Sequence, residues 1–186
     1  MDYTKAELEK AYQAGNKLKF LFFWGHQKHP SGEVTGSCFS QWWPSKFRVD
    51  GVTYPTTEHW MMAEKARLFT DFRVLDEVLK AGSPGKAKQL GREVVGFNQD
   101  IWNEKRFDIV VKGNYHKFSQ NPELRAFLIN TKNRILVEAS PVDKIWGIGL
   151  DAADEFATVP PKWKGLNLLG FALMKVRDLL NTGHKL

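Results

Sequence analysis

Cysteine is almost missing from this chain. Cys38 stands alone among 186 residues, so no intrachain disulfide can form and no second thiol is at hand to hold zinc. It reads as a small packing residue in a reducing compartment. Long apolar runs are lacking too: no stretch approaches the roughly 20 consecutive apolar residues of a membrane-spanning helix, and Met1-Asp2-Tyr3-Thr4-Lys5-Ala6-Glu7 lacks the apolar stretch of a signal peptide. The expectation is a cytoplasmic protein with no membrane partner. Common catalytic signatures are also absent. There is no GxGxxG after a strand, no Walker loop, no HExxH and no GxSxG, which weighs against dinucleotide oxidoreduction, P-loop phosphoryl transfer, zinc proteolysis and α/β-hydrolase chemistry. The histidines, His26, His29, His59, His116 and His184, make no metal-ligand pattern, and His26 and His29 have no third ligand nearby. No metal and no cofactor are expected. A dense basic tract is missing as well: the net charge is +6, but lysine and arginine are spread from Lys5 to Lys185. That balance suits an anionic ligand without forming the stripe of a nucleic-acid reader.

What is present is enough apolar side chain, 42% of residues with 13% aromatic, to bury the core of one domain. No repeat or linker divides the chain. Thr4 and Glu7 form a capping box, which predicts a helix over 4–14 that stops near Gly15. Phe20-Leu21-Phe22-Phe23-Trp24 reads as a buried strand, and 26–37, with Pro30, Gly32 and Gly36, as a loop. Asp50-Gly51 between Phe47-Arg48-Val49 and Val52-Thr53-Tyr54 signals a hairpin with a type I′ turn. Helices follow: one after a Thr57 cap, one capped by Asp71, one started by Ser83-Pro84, one over about 100–118, and one from Asn121-Pro122-Glu123. Residues 134–139 have the β-branched content of a strand. An amphipathic helix over 164–180 closes the chain. The predicted class is α+β: a mostly helical single domain around a small, largely antiparallel sheet.

The helix after Thr57 carries an anomaly. Glu58 and Lys65 lie two turns apart on the face that also holds Met61 and Met62. A face buried only for packing would place aliphatic groups there, because desolvating an ionised group costs several kcal/mol (order of magnitude). Two readings stand. Glu58 can serve the helix dipole while the Lys65 stem covers apolar surface, or the pair can do chemistry. Seven tryptophans, at 24, 42, 43, 60, 102, 146 and 163, add rings suited to stacking on a planar heterocycle or to plain packing. Trp146-Gly147-Ile148-Gly149 joins a ring to two glycines that permit close backbone approach. Asp143, just before it, is either a turn former or a second carboxylate for acid–base work at an acetal-like carbon.

Taken together, several segments resemble one family. Phe39-Ser40-Gln41-Trp42-Trp43-Pro44, the run from Val49 to Lys65, Leu90-Gly91-Arg92, Leu136-Val137-Glu138-Ala139-Ser140-Pro141, Asp143 with Trp146-Gly147-Ile148-Gly149, and Asn167-Leu168-Leu169-Gly170 followed by Met174 are similar, in one order, to the YbiA/NADAR family. The likeness runs from about Phe20 to Leu180. It implies a catalytic domain over 20–186 behind an N-terminal helical extension over 1–19, and an N-glycosidase that hydrolyses a ribose C1′–N bond. Two kinds of partner are implied, both phosphorylated ribosyl substrates: ADP-ribose attached to guanine, free or in modified nucleic acid, and ribosylaminopyrimidine phosphates of riboflavin synthesis. The catalytic set that the resemblance implies is Glu58, Lys65 and Asp143. The substrate-binding set is Phe23, Trp24, Ser40, Arg92, Trp102, Trp146, Gly147 and Asn167.

Breaking the C1′–N bond builds positive charge on ribose, so a fixed carboxylate near C1′ favours the transition state. Either Glu58 or Asp143 could supply it, the other activating water or protonating the base. In a second route, a Lys65 amine with a pKa lowered by burial forms a Schiff base at C1′. The rival to catalysis is a reader module that binds ADP-ribose or a nucleotide without turning it over, and a weaker one is a nucleic-acid-binding protein, marked by steep salt dependence.

Overall fold

The structure, a computed structural model, describes residues 3–183; His184 lies outside them. In chain order the elements are α1 (Lys5–Gln13), β1 (Phe20–Phe23), β2 (Phe47–Val49), β3 (Val52–Tyr54), α2 (Thr57–Leu68), α3 (Phe72–Leu79), α4 (Pro84–Gly91), α5 (Gln99–Gln120), α6 (Pro122–Ile129), β4 (Ile135–Glu138) and α7 (Leu168–Thr182). This is a helix-dominated α+β fold. The described residues group into two compact units, one of residues 3–40 and 123–183, the other Gln41–Pro122.

In the unit Gln41–Pro122, α2 packs against α3, α4 and α5. The β2–β3 hairpin turns at Asp50 (φ 48°) and Gly51 (φ 82°), the two positive angles that a type I′ turn needs. It hands the chain to α2. The N-cap is Thr56, one residue earlier than the sequence suggests, and its hydroxyl accepts from the His59 amide at 3.4 Å. Thr57 instead donates its hydroxyl to the Gln41 carbonyl at 3.2 Å, beside the Glu58 amide at 2.9 Å. His59 fixes the helix start from a second side. Its Nε2 lies 3.0 Å from the Ala81 carbonyl, which can only accept, so Nδ1 is the acceptor for Thr56 Oγ1 at 2.8 Å. Burial lowers the His59 pKa, so the ring is neutral and structural.

Every residue of α2 from Thr57 to Ala63 is buried, a helix enclosed by neighbours instead of a striped surface helix. Close approach to those neighbours depends on glycine. Trp60 lies so near Gly113 of α5 that a methyl group there would come within 2.3 Å of its Cδ1. The indole N–H donates to the Ile109 carbonyl at 2.8 Å, so the ring cannot swing away without losing a bond.

In the other unit, β1 and β4 form a parallel ladder, Phe20 opposite Ile135 through Phe23 opposite Glu138. Here the structure departs from the largely antiparallel sheet read from the sequence. The two strands are remote in the chain, and a crossover can return a strand in the same direction where a tight hairpin cannot. Each ladder among the described residues has only two strands. That explains a second departure: Phe20, Leu21 and Phe22 are half-buried, only Phe23 is in the core, and Trp24 is 56% exposed.

α7 begins at Leu168, not at Lys164. Asn167 stands in the left-handed region (φ 56°, ψ 34°), which asparagine tolerates and which precludes continuous helix through it. Its side chain lies along β4, accepting from the Glu138 amide at 3.0 Å and donating to the Leu136 carbonyl at 2.9 Å. Gly170 lets the helix lie against the same strand. Helix α1, capped by Thr4 through the Glu7 amide, is tied to this unit by Lys5 Nζ on the Trp163 carbonyl at 2.9 Å and by Tyr3 on Asp178. Buried Phe39, Leu128, Leu136, Ile148, Leu169, Phe171 and Leu173 make its core, each contributing about 1.5–3 kcal/mol by leaving water.

Gly113→Ala should lower the urea unfolding midpoint by an amount worth about 1–3 kcal/mol, the usual cost of overpacking. Gly82→Ala, where the added methyl meets open space, should leave the midpoint within error.

Candidate functional site

The candidate residues divide between the two units. Glu58, Lys65, Arg92 and Trp102 belong to Gln41–Pro122. Phe23, Trp24, Ser40, Asp143, Trp146, Gly147 and Asn167 belong to the other.

Within Gln41–Pro122 the structure assembles a polar group around Lys65. Its Nζ donates to the Gly91 carbonyl at 2.7 Å, at the end of α4. The same nitrogen lies 4.2 Å from the centre of the Phe97 ring and 5.7 Å from that of Trp102. Burial, and secondarily the positive charge of Arg92, lower the Lys65 pKa below its ordinary value. Lys65, Arg92 and Trp102, all three implied by the family resemblance, are therefore neighbours. Gly91 is needed for packing, because a side chain there would strike Met62.

Glu58 occupies the first turn of α2 and is 3% exposed. The helix N-terminus favours its charge. Lys65 follows seven residues later, about 10 Å along the axis at 1.5 Å per residue. Beside the Glu58 amide, the Gln41 side-chain oxygen accepts from Asn114 of α5 at 2.9 Å, bracing the loop that holds the helix start.

A cavity of about 230 Å³ opens on the other side of α2, lined by Tyr54, Trp60, Glu64, Arg67 and Lys112 among others. Its polar groups are partly committed to each other: Arg67 pairs with Glu64 and donates to the Tyr54 hydroxyl at 2.9 Å. Glu58 and Lys65 do not line it.

In the other unit, Asp143 organises backbone through one carboxylate oxygen. Its Oδ1 accepts from the Ile145 amide at 2.8 Å and the Trp146 amide at 2.7 Å, while its own amide donates to Ser140 Oγ at 3.2 Å. These bonds fold 143–149 into a loop that is closed by the Gly149 amide on the Asp143 carbonyl. Gly147 is packed so closely that a methyl group would stand 2.8 Å from the Glu138 carbonyl oxygen. The Asn167 amide is committed to β4, and Phe23 packs edge-on against Phe39 with ring centres 5.3 Å apart. Trp146 and Ser40 are half-buried and Trp24 is exposed, so these three retain surface for a ligand.

Sequence reasoning missed Phe97. It follows Gly96 (φ 72°) in the linker between α4 and α5, where no helical or strand spacing draws attention to a ring. The sequence signal was limited to an aromatic beside a loop glycine. Among the described residues no cluster of three or more His, Cys, Asp or Glu is arranged to hold a metal ion. No helix there is long and apolar enough to cross a membrane.

Comparison with known proteins adds the following. The NADAR domain matches residues 22–181. N-glycosidase R617 of Acanthamoeba polyphaga mimivirus is 45% identical over 165 residues, covering 86% of this chain and 95% of that protein. Protein irg-1 of Caenorhabditis elegans is 36% identical over 77% of this chain and 76% of its own length. N-glycosidase YbiA of Escherichia coli is 35% identical over 74% of this chain and 76% of its own. The NMR structure of the Escherichia coli protein YbiA superposes with a TM-score of 0.69 at 28% identity, covering 90% of this chain and 89% of that one.

The geometry of Asp143 yields a test. An asparagine keeps the oxygen that accepts from Ile145 and Trp146, so Asp143→Asn should keep kcat/KM within about threefold, whereas Asp143→Ala should lose at least tenfold. Steady-state kinetics of both variants checks this, and a collapse of Asp143→Asn alone would mark Asp143 as a proton-transfer group.

Proposed function

The chain belongs to the NADAR domain family, and from that premise we infer that it hydrolyses the bond between ribose C1′ and a nitrogen of a planar base in a phosphorylated ribosyl substrate. It is an N-glycosidase, the activity for which R617 and YbiA are named. Two substrate kinds fit the reading: ADP-ribose joined to guanine, free or within nucleic acid, and ribosylaminopyrimidine phosphates of riboflavin synthesis. The place of action that fits this reading is the cytoplasm. The catalytic domain spans 20–186, with 1–19 as an N-terminal extension.

One observation carries the mechanism: a lysine whose charged form is disfavoured by burial stands on the same helix face as a buried glutamate. The pairing supports nucleophilic catalysis. The free Nζ lone pair adds to C1′ as the bond to the base nitrogen breaks, and that nitrogen takes up a proton. The ribose then opens to a Schiff base on Lys65. Water adds to C1′, the amine departs, and free sugar is released. Glu58 stabilises positive charge as it builds at C1′ and moves the proton. Arg92 contributes charge for phosphate, and Trp102 offers a ring to the base; Trp146 and Trp24 are the rings that the other unit keeps accessible for binding. Within that unit Phe23, Gly147 and Asn167 hold backbone and packing in place, and half-buried Ser40 is a further polar group for binding. Asp143 shapes the loop that carries Trp146.

The test is incubation with ADP-ribosylated guanosine and, separately, with a ribosylaminopyrimidine phosphate, followed by mass spectrometry. Release of free base from one of them, a borohydride-trapped adduct on Lys65, and a loss of about a hundredfold or more in kcat for Glu58→Gln with binding retained are expected. Repeated absence of the adduct during turnover would leave direct attack by water. Binding without release of base from either compound would make the protein a reader.

A further inference from the structure

Phe97 is not among the residues that the family resemblance singles out, and it makes the nearest aromatic contact of the Lys65 ammonium. We propose that Phe97 is a positioning residue, whose ring covers Lys65 Nζ and holds it on the Gly91 carbonyl. This rests on the reading of Lys65 as the nucleophile.

Three observations carry it. First, the distance of 4.2 Å from Nζ to the ring centre is direct contact, whereas Trp102 stands further off at 5.7 Å. Second, the ring is braced. Phe69, at the C-terminal end of α2, meets it edge-on with centres 5.3 Å apart. The backbone before it is anchored where the Val95 amide donates to Asp71 Oδ2 at 2.9 Å; the other carboxylate oxygen of Asp71 caps α3 at the Val74 amide. Third, Phe97 is 40% exposed, so shortening it opens Nζ to water instead of emptying a closed core. One carboxylate therefore ties the start of α3 to the segment that carries the ring.

The physical effect has two opposing parts. A ring face over an ammonium attracts the charge, worth about 0.5–1 kcal/mol at exposed sites. The same ring excludes water, which favours the neutral amine. Burial is the larger influence on Lys65, so the cover, more than the attraction, decides the outcome. Arg92, following α4, adds in the same direction. On α2, Glu64 is paired with Arg67, while Glu58 is two turns away. Exposed Arg73 and Glu77 on α3 pair with each other. On α5, exposed Lys105 pairs with Glu104.

The experiment titrates Lys65 directly, by NMR of the protein with isotopically methylated lysines and a Lys65→Arg control for assignment. It is run on the native chain and on Phe97→Tyr, Phe97→Leu, Phe97→Val and Phe97→Ala. Each removal of bulk should move the titration to higher pH, with Tyr and Leu near native, Val between and Ala furthest. In kinetics, the rising limb of kcat against pH should move the same way. At pH 7 kcat for Phe97→Ala should fall about tenfold with little change in KM, and recover as pH rises. A titration that stays put or moves to lower pH in the Val and Ala variants, with native circular dichroism, would overturn the proposal. The NMR readout does not need turnover, so a missing borohydride adduct would sink the nucleophile and leave the cover standing, and an unmoved titration would do the reverse.

Discussion

A single half-buried ammonium is what the rest of the site depends on. Lys65 reaches the Gly91 carbonyl under the Phe97 ring, and burial with Arg92 disfavours its proton. An ordinary surface lysine is a poor nucleophile at neutral pH because nearly all of it is protonated. Lowering that affinity for the proton costs folding free energy, and a fold retains such a group where the free amine is useful. The arrangement thus turns a packing problem in α2 into a chemical opportunity.

The helix that bears it is held with little freedom. Its start is bonded to the loop at Gln41 and, through His59, to the backbone at Ala81. Its middle is locked by Trp60 between the Ile109 carbonyl and Gly113. These contacts set where Glu58 and Lys65 point, since both project from a rigid element whose orientation neighbouring helices fix. The other unit follows the same rule with different parts: Asn167 completes the hydrogen bonding of β4 while redirecting the chain into α7, and Asp143 builds the turn before Trp146. Side chains that look like ligand contacts in a sequence can be the ones that make the backbone possible.

Features set by local chemistry were legible in the sequence. Thr4, Asp71 and Ser83 accept the amides their positions suggested, and Asp50-Gly51 turns as its composition requires, because caps and tight turns depend on a few adjacent residues. At Thr56-Thr57 two equivalent caps stand side by side, and the choice was settled by Gln41, a contact invisible locally. The parallel pairing of β1 with β4 depends on a long crossover, which periodicity does not encode. Lys65, Arg92 and Trp102 were found as a set through resemblance, whereas Phe97 was passed over because contact with an ammonium leaves no spacing rule in a linker. For Asp143, the turn-forming half of its dual reading became visible only with the amides that its Oδ1 accepts.

The central claim concerns the proton on Lys65, and folding stability reports it directly. With a folded-state pKa below that of the unfolded chain, the unfolded state binds more protons between the two values, so Lys65 makes the native protein progressively more stable as pH rises through that window. The measurement is urea unfolding of the native chain and Lys65→Met from pH 7 to pH 10.5. The stability of the native chain relative to Lys65→Met should increase with pH across that range. A difference that stays flat or decreases would mean that the folded protein holds the Lys65 proton at least as firmly as the unfolded chain does, contradicting the disfavoured proton on which the site is built.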